Sequence, residues 1–313
     1  MRSETIFVNI ASYRDSEIKN TVLSLYQNCS DPSLLDTVVV LQGDESEQSC
    51  LSELEEKDQF PNLRILKYDF LASRGVCWAR AQGYRWARDQ KYVLQVDSHT
   101  VFLPDWDTKI RNQFRKMAKV AQKPILTGYP PPYTKQDETR VLDYAQLNLD
   151  IEVLEVTGLP FGRSLPRNET TFAEHFHLPC CFIFTTMDFV RTVPYDETIF
   201  FWGEETTMAV RSYCKGFRMF VPETHVCFHH YQYASDPVTL RRRYWDDDGW
   251  RSKELGKDAL HGKSLERVRS VLSGTLKGRF GIENMQMYLE FCKNFKMKYG
   301  LPLECWNRAT GVS

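Results

Sequence analysis

An aspartate and a histidine, Asp97 and His99, stand two positions apart where the apolar run Tyr92 to Val96 ends in KYVLQVDSHTVFLPDWD. A carboxylate and an imidazole so spaced, on the exposed end of a buried strand, can both turn toward one divalent cation such as Mn2+ or Mg2+. The same residues also read as a turn capped by Asp97 beside a surface histidine. Further along, FFWGEETTMAVRSYCKGF sets two adjacent carboxylates, Glu204 and Glu205, behind an aromatic-Trp-Gly hinge at the amino end of a helix. There they suit the helix dipole, and a carboxylate so held can also orient or deprotonate a hydroxyl. A histidine cluster comes next, His225, His229 and His230, able to complete a metal site or to sit satisfied in a core. With no second carboxylate cluster, a two-metal phosphoesterase is disfavoured.

The elements that must position these groups alternate in type. TIFVNIAS, TVVVLQG, LRILKYDF and YVLQV read as strands, EIKNTVLSLYQNC and GVCWARAQGYRWARDQ as helices between them. Such alternation predicts an α/β fold with a mostly parallel central sheet, whose ligands gather beyond the carboxyl ends of the strands, where Asp97 and His99 lie. After the proline cluster of YPPPY the middle of the chain reads as strand- and loop-rich. EETTMAVRSYCKGF is then a helix closing near Gly216, RMFVP a strand, and SLERVRSVLSG and NMQMYLEFCKNFKMKYG are helices of a polar carboxyl-terminal part. The expected division is a catalytic domain over 1–235 and a helical extension over 236–313 packed on it.

The 313 residues carry 40 Lys and Arg against 41 Asp and Glu, a formal net charge of −1, which excludes the basic field of a non-specific nucleic-acid binder. The amino terminus runs straight into TIFVNI without a secretory leader, and no segment is long and apolar enough to span a bilayer, so a soluble protein away from the membrane is expected. Nine scattered cysteines without any C-x-x-C suit reduced thiols and a cytoplasmic location, which would leave the sequons at Asn28 and Asn168 unused.

Taken in order, a parallel-sheet half, D-x-H at a strand end, W-G-x-E and a late histidine resemble a GT-A nucleotide-sugar glycosyltransferase with a Rossmann-like core. The pattern is similar to that of the polypeptide GalNAc-transferases. VNIASYRD, ASRGVCWAR, VDSHTVFLPDWD and HHY resemble more closely the Skp1-type polypeptide (hydroxyproline) N-acetylglucosaminyltransferases, over roughly residues 4–235. The resemblance implies transfer of GlcNAc from UDP-GlcNAc, with the anomer retained, to a protein hydroxyl such as the hydroxyproline of a cytoplasmic Skp1-like partner. It implies a divalent ion, Mn2+ before Mg2+, on Asp97, His99 and a histidine of the HHY doublet, with His229 matching the family position and His230 its alternative. It places Glu205 at the acceptor with Glu204 as neighbour, uridine against Ala11, Ser12, Tyr13 and Arg14, and the nucleotide phosphates near Arg74, Arg80 and Asp97. The lectin domain of the GalNAc-transferases has no counterpart in this sequence.

Two other readings stay open on the sequence alone. One is a sugar transferase acting on a glycan or small acceptor, the other a non-catalytic nucleotide-sugar-binding protein, against which the paired carboxylates argue. The aromatics of YPPPY, FFW and YWDDDGW can stack on sugar or peptide or serve as core. Asp246 to Asp248 read as a solvated loop, and Arg241 to Arg243 either as a solvated helix face or as a contact to diphosphate or an acidic acceptor protein.

Overall fold

The computed structural model describes residues 4–55, 58–136, 139–153, 157–167, 171–231 and 257–301. The acidic run, the Arg241 to Arg243 run and YWDDDGW lie outside them.

β1 (Ile6–Tyr13), β2 (Leu35–Gly43), β3 (Leu63–Asp69) and β4 (Tyr92–Asp97) are the short apolar runs of the first half, and they pair in parallel in the order β4-β1-β2-β3. Alternation splits β1 between two faces. Ile6, Val8 and Ile10 pack with Ile18, Val22 and Leu25 of α1 (Ile18–Gln27), while Phe7 turns to the other face with Trp78 and Ala79 of α3 (Val76–Tyr84). Helix α2 (Glu45–Glu55) lies between β2 and β3 in the chain.

The sheet continues past β4 through β12 (Phe182–Thr186), β6 (Pro124–Thr127), β13 (Arg218–Val221) and β11 (Ala173–His175). Of its 8 strands, β11 and β12 run against the rest, so the sheet is mixed but mostly parallel, as the α/β reading expects. After β4 come β5 (Thr100–Phe102) and α4 (Trp106–Met117). The middle of the chain forms two hairpins, β7 (Tyr133–Gln136) with β8 (Thr139–Leu142) and β9 (Leu147–Val153) with β10 (Pro160–Pro166). A short α5 (Asp188–Thr192) and then α6 (Glu204–Cys214), β14 (Cys227–His229), α7 (Lys257–Leu272) and α8 (Met285–Tyr299) complete the order.

The two carboxyl-terminal helices share a core with α6. Val268 and Val271 of α7, Phe291 and Phe295 of α8, and Met208 and Val210 of α6 belong to one buried cluster. Helix α8 is bounded as its sequence suggests, with the Asn284 side chain capping the Met287 N–H and Gly300 closing it at φ +68°.

The packing of α3 on β1 depends on a single glycine. A Cβ on Gly83 would lie 2.0 Å from Asn9 Oδ1, so only glycine lets the helix approach the strand this closely. In that contact the Asn9 side chain donates to the Arg80 carbonyl at 2.9 Å, fixing the height at which Arg80 leaves the helix. Cys29, Cys77, Cys180, Cys181, Cys214, Cys227 and Cys292 are free thiols, and no described helix is long and apolar enough to cross a membrane.

Candidate active site

β4 ends at Asp97, the chain turns through Ser98 and His99, and β5 leaves antiparallel to β14. The register pairs Thr100 with His229, which carries the late histidine back beside the turn. Because successive side chains of a strand point to opposite faces, His229 and His230 part company. The His229 ring meets that of His99 with centroids 4.5 Å apart, and its Nε2 stands 3.2 Å from Asp97 Oδ2. The His230 ring instead packs against Tyr133 at 5.3 Å, while its backbone N–H donates to the His99 carbonyl at 3.0 Å. One ligand atom each from Asp97, His99 and His229 lie within 4.8 Å of one another.

Two of these three side chains each have a partner behind them. His99 Nδ1 stands 2.7 Å from the buried carboxylate of Asp15, and Arg80 Nη2 donates to Asp97 Oδ1 at 2.6 Å. Burial alone would raise the Asp97 carboxyl, but the hydrogen bond from His229 and the positive charge of Arg80 outweigh it and hold the group far below the carboxylate range. An ionised carboxylate converging with two imidazoles is a donor set that fits a divalent first-row ion.

The other side of the site is the start of α6. Gly203 caps the helix at φ +93°, and a Cβ there would lie 2.3 Å from a Val268 methyl of α7, so the hinge needs glycine twice over. Glu204, only 6% exposed, forms an ion pair with Arg80 Nη1. Burial pushes its carboxyl above the ordinary value despite that partner. Glu205 points into the cavity and is held by three donors: the Tyr129 hydroxyl at 2.8 Å, His177 Nε2 at 2.9 Å and the Cys180 backbone N–H at 3.1 Å. Burial, and then the charge of Glu205, push the Tyr129 phenol well up, so it stays a donor. A carboxylate has about four acceptor directions, which leaves about one open toward the cavity.

A cavity of about 420 Å³ joins the two sides. Asp97, His99, His229, Glu204, Glu205 and Arg80 all line it, as do Ala11 and Tyr13 from the end of β1. Ser12, Arg14 and Arg74 are not among its lining residues. Ser12 is buried, Arg74 is exposed, and Arg14 turns away to pair with Asp44 and Glu47 at 3.2 Å each, over the Phe70 ring. The guanidinium of Arg80, expected near phosphate, is engaged by two carboxylates. Of the aromatic candidates Tyr129, Phe201 and Trp202 reach the cavity, whereas Phe200 and Tyr133 are core. Asp15, His177 and Tyr231 are site residues that the sequence reading does not single out. Asp15 stands inside the VNIASYRD segment and His177 in HFH, but neither has a spacing relation that points to its partner.

A family model described as glycosyltransferase (GlcNAc) matches residues 5–62 and 54–304, nearly the whole chain. The chain belongs to this glycosyltransferase family. No curated protein matches its sequence. Among solved structures, GalNAc-T7 with UDP, GalNAc and Mn2+ is similar with a TM-score of 0.59 at 12% identity, over 95% of this chain and 59% of that one. S. aureus TarS 1–349 in complex with UDP-GlcNAc is similar with a TM-score of 0.51 at 14% identity, over 98% of this chain and 80% of that one. The chain thus has a GT-A-like fold, and it spans 59% of the length of the GalNAc-T7 chain.

Proposed function

We infer that this glycosyltransferase moves GlcNAc from UDP-GlcNAc to a hydroxyl of a protein, such as the hydroxyproline of a cytoplasmic Skp1-like partner, with the anomer retained. The observation that carries the reading is one cavity in which Asp97, His99 and His229 face Glu204 and Glu205 across Arg80. A donor with a diphosphate at one end and a sugar at the other has the two-ended chemistry of such a site. The UDP-GlcNAc held by TarS and the UDP and Mn2+ held by GalNAc-T7 support the donor and metal classes.

Asp97, His99 and His229 would hold the ion, manganese before magnesium. When bound, it supplies positive charge against the diphosphate as the sugar leaves, a contribution of several kcal/mol in such sites. Ala11 and Tyr13 at the end of β1 form the uridine wall. Arg80 keeps Asp97 ionised and Glu204 in place. The acceptor oxygen bonds to C1 as the bond from C1 to the β-phosphate oxygen breaks, and the acceptor proton leaves to that phosphate oxygen. Glu205 orients the hydroxyl through its remaining acceptor direction. Residues 1–235 act as the catalytic domain, with 236–313 as the helical extension.

Incubation with a panel of UDP- and GDP-sugars, with Mn2+ and with chelator, tests the reading. Free UDP should appear most rapidly from UDP-GlcNAc and only with metal, and mass spectrometry should find GlcNAc on a hydroxyproline-bearing acceptor. Preference for a GDP-sugar, or turnover unaffected by chelator, would overturn it.

A further inference from the structure

The middle residue of the D-S-H turn shares a buried partner with the histidine beside it. Ser98 Oγ donates to Asp15 Oδ2 at 2.6 Å, His99 Nδ1 contacts the same oxygen at 2.7 Å, and Asp15 Oδ1 accepts the Glu17 backbone N–H at 2.9 Å. Asp15 is 6% exposed, and the loop that carries it leads directly from Tyr13, a wall of the cavity. A buried carboxylate is stabilised only by donors, so the ring nitrogen facing it must carry a hydrogen. In the neutral imidazole that a metal ligand requires, the lone pair is then on Nε2, the atom turned toward Asp97 Oδ2, 3.7 Å away.

We propose that Asp15 is the positioning residue of the metal centre: it fixes the orientation of the His99 ring and the nitrogen on which His99 carries its hydrogen, so that Nε2 is presented as a ligand. This role rests on Asp97, His99 and His229 holding a divalent ion. Outer carboxylates of this kind act through the histidine they hold, and their loss weakens metal binding by roughly 10–100-fold.

Two substitutions separate this role from simple support of the turn. Asp15→Asn keeps size, but with its oxygen still accepting the Glu17 N–H its amide nitrogen, a donor, takes the place of Oδ2, where Ser98 and His99 both point. Facing His99 it would favour hydrogen on Nε2 and so block the ligand. Asp15→Ala removes the partner and lets the imidazole take either form. Orientation of the ring therefore predicts that Asn is at least as damaging as Ala, whereas support of the turn predicts a mild Asn and a severe Ala.

The test is Mn2+ titration of the full chain by calorimetry and by the electron paramagnetic resonance of free Mn2+, with UDP binding in chelator and thermal melts alongside. The expected result is a Mn2+ Kd raised about 10–100-fold in Asp15→Asn, with metal-free UDP binding and the melt close to wild type. Ser98→Ala, which keeps the contact to His99, should shift the Kd less than about threefold. Should Asp15→Ala fail to fold, the Asn variant decides alone. A Mn2+ Kd within twofold of wild type in Asp15→Asn, or an Asn variant milder than Ala, overturns the proposal while the metal reading stands. A wild-type protein that binds no Mn2+ or Mg2+ overturns both.

Discussion

Arg80 and Glu204, 124 positions apart in the chain, form a buried ion pair, and the same guanidinium reaches Asp97 at 2.6 Å. Arg80 thereby ties the end of β4 to the start of α6, through a planar fork that a lysine cannot reproduce. Both partners are nearly sequestered, with side-chain exposures of 4% and 7%, so removing one strands the other in a poor solvent. Arg80→Met should destabilise the fold by about 3–5 kcal/mol in urea denaturation. Changing both residues to methionine should recover at least half of that loss. A cost below about 1 kcal/mol for the single variant would mean that water reaches Glu204 and the strut is dispensable.

Glu205 receives three donors, and its amide analogue cannot. In Glu205→Gln either the new NH2 faces the Tyr129 hydroxyl and His177, or it faces the Cys180 N–H. The acceptor direction aimed into the cavity is disturbed in both cases. Transfer should fall by roughly 10²-fold or more, read as kcat with saturating donor, while UDP and Mn2+ binding stay near wild type. Glu204→Gln should instead show its effect in stability, since its contact is with Arg80. Wild-type transfer by Glu205→Gln would move the acceptor carboxylate elsewhere.

The histidine doublet gives a sharper comparison. His229→Ala should abolish metal-dependent UDP binding, because it removes one of the three convergent groups. His230→Ala should retain metal binding and lose stability by about 1–3 kcal/mol, as for a buried ring removed from a packed site. The reverse pattern would require β14 to pair with β5 one residue out of register.

That register marks the limit of what the sequence discloses. The parallel strands β1 to β4, the D-x-H at a strand end and the carboxylates opening α6 are legible because each is a local pattern: an apolar run, a fixed spacing, a glycine before acids. Which histidine faces Asp97 depends on how two strands far apart in the chain align, and side-chain direction reverses with a shift of one. The directions of β11 and β12 are hidden for a related reason, since CCFIFTT reads the same whichever way the strand runs. Helix α4 escapes notice because Trp106, Ile110 and Phe114 are diluted by Lys109, Arg111 and Arg115. Asp15 and His177 are defined by partners rather than by spacing, and Arg14 lies beside the cavity motif in sequence while its side chain turns to Asp44.

Two histidines away from the cavity contribute to the response to acid. Burial, with a smaller push from His177, lowers His175 to about 3, and burial with the nearby Arg167 lowers His225 to about 4. Both are neutral in the folded protein, whereas in the unfolded chain each takes a proton near pH ~6.5. Below that pH the unfolded state binds more protons, so stability falls as pH drops from about 6.5 toward 4, by up to about 1.4 kcal/mol per pH unit for each group. Their contribution is fully present above about pH 7. His175→Gln should flatten the slope of unfolding free energy against pH between about 6 and 4 relative to wild type. An unchanged slope would assign the acid sensitivity to other groups.

Gly203 joins backbone geometry to packing at the entrance of α6, and the two can be separated. With φ at +93° any side chain is strained there, and a Cβ would also press on Val268 at 2.3 Å. Gly203→Ala should therefore cost more than the roughly 1–3 kcal/mol that strain alone commands, and it should shift Glu204 and Glu205 with the start of the helix. Val268→Ala opens space in front of the new methyl but leaves φ unchanged. The double variant should regain the packing part of the loss in urea denaturation, while transfer stays depressed because the strained hinge still misdirects Glu205. If Val268→Ala restores both stability and transfer, the hinge tolerates an L-residue and the steric contact alone selects glycine. If it restores neither, the backbone requirement dominates, and α7 is a passive neighbour of the site.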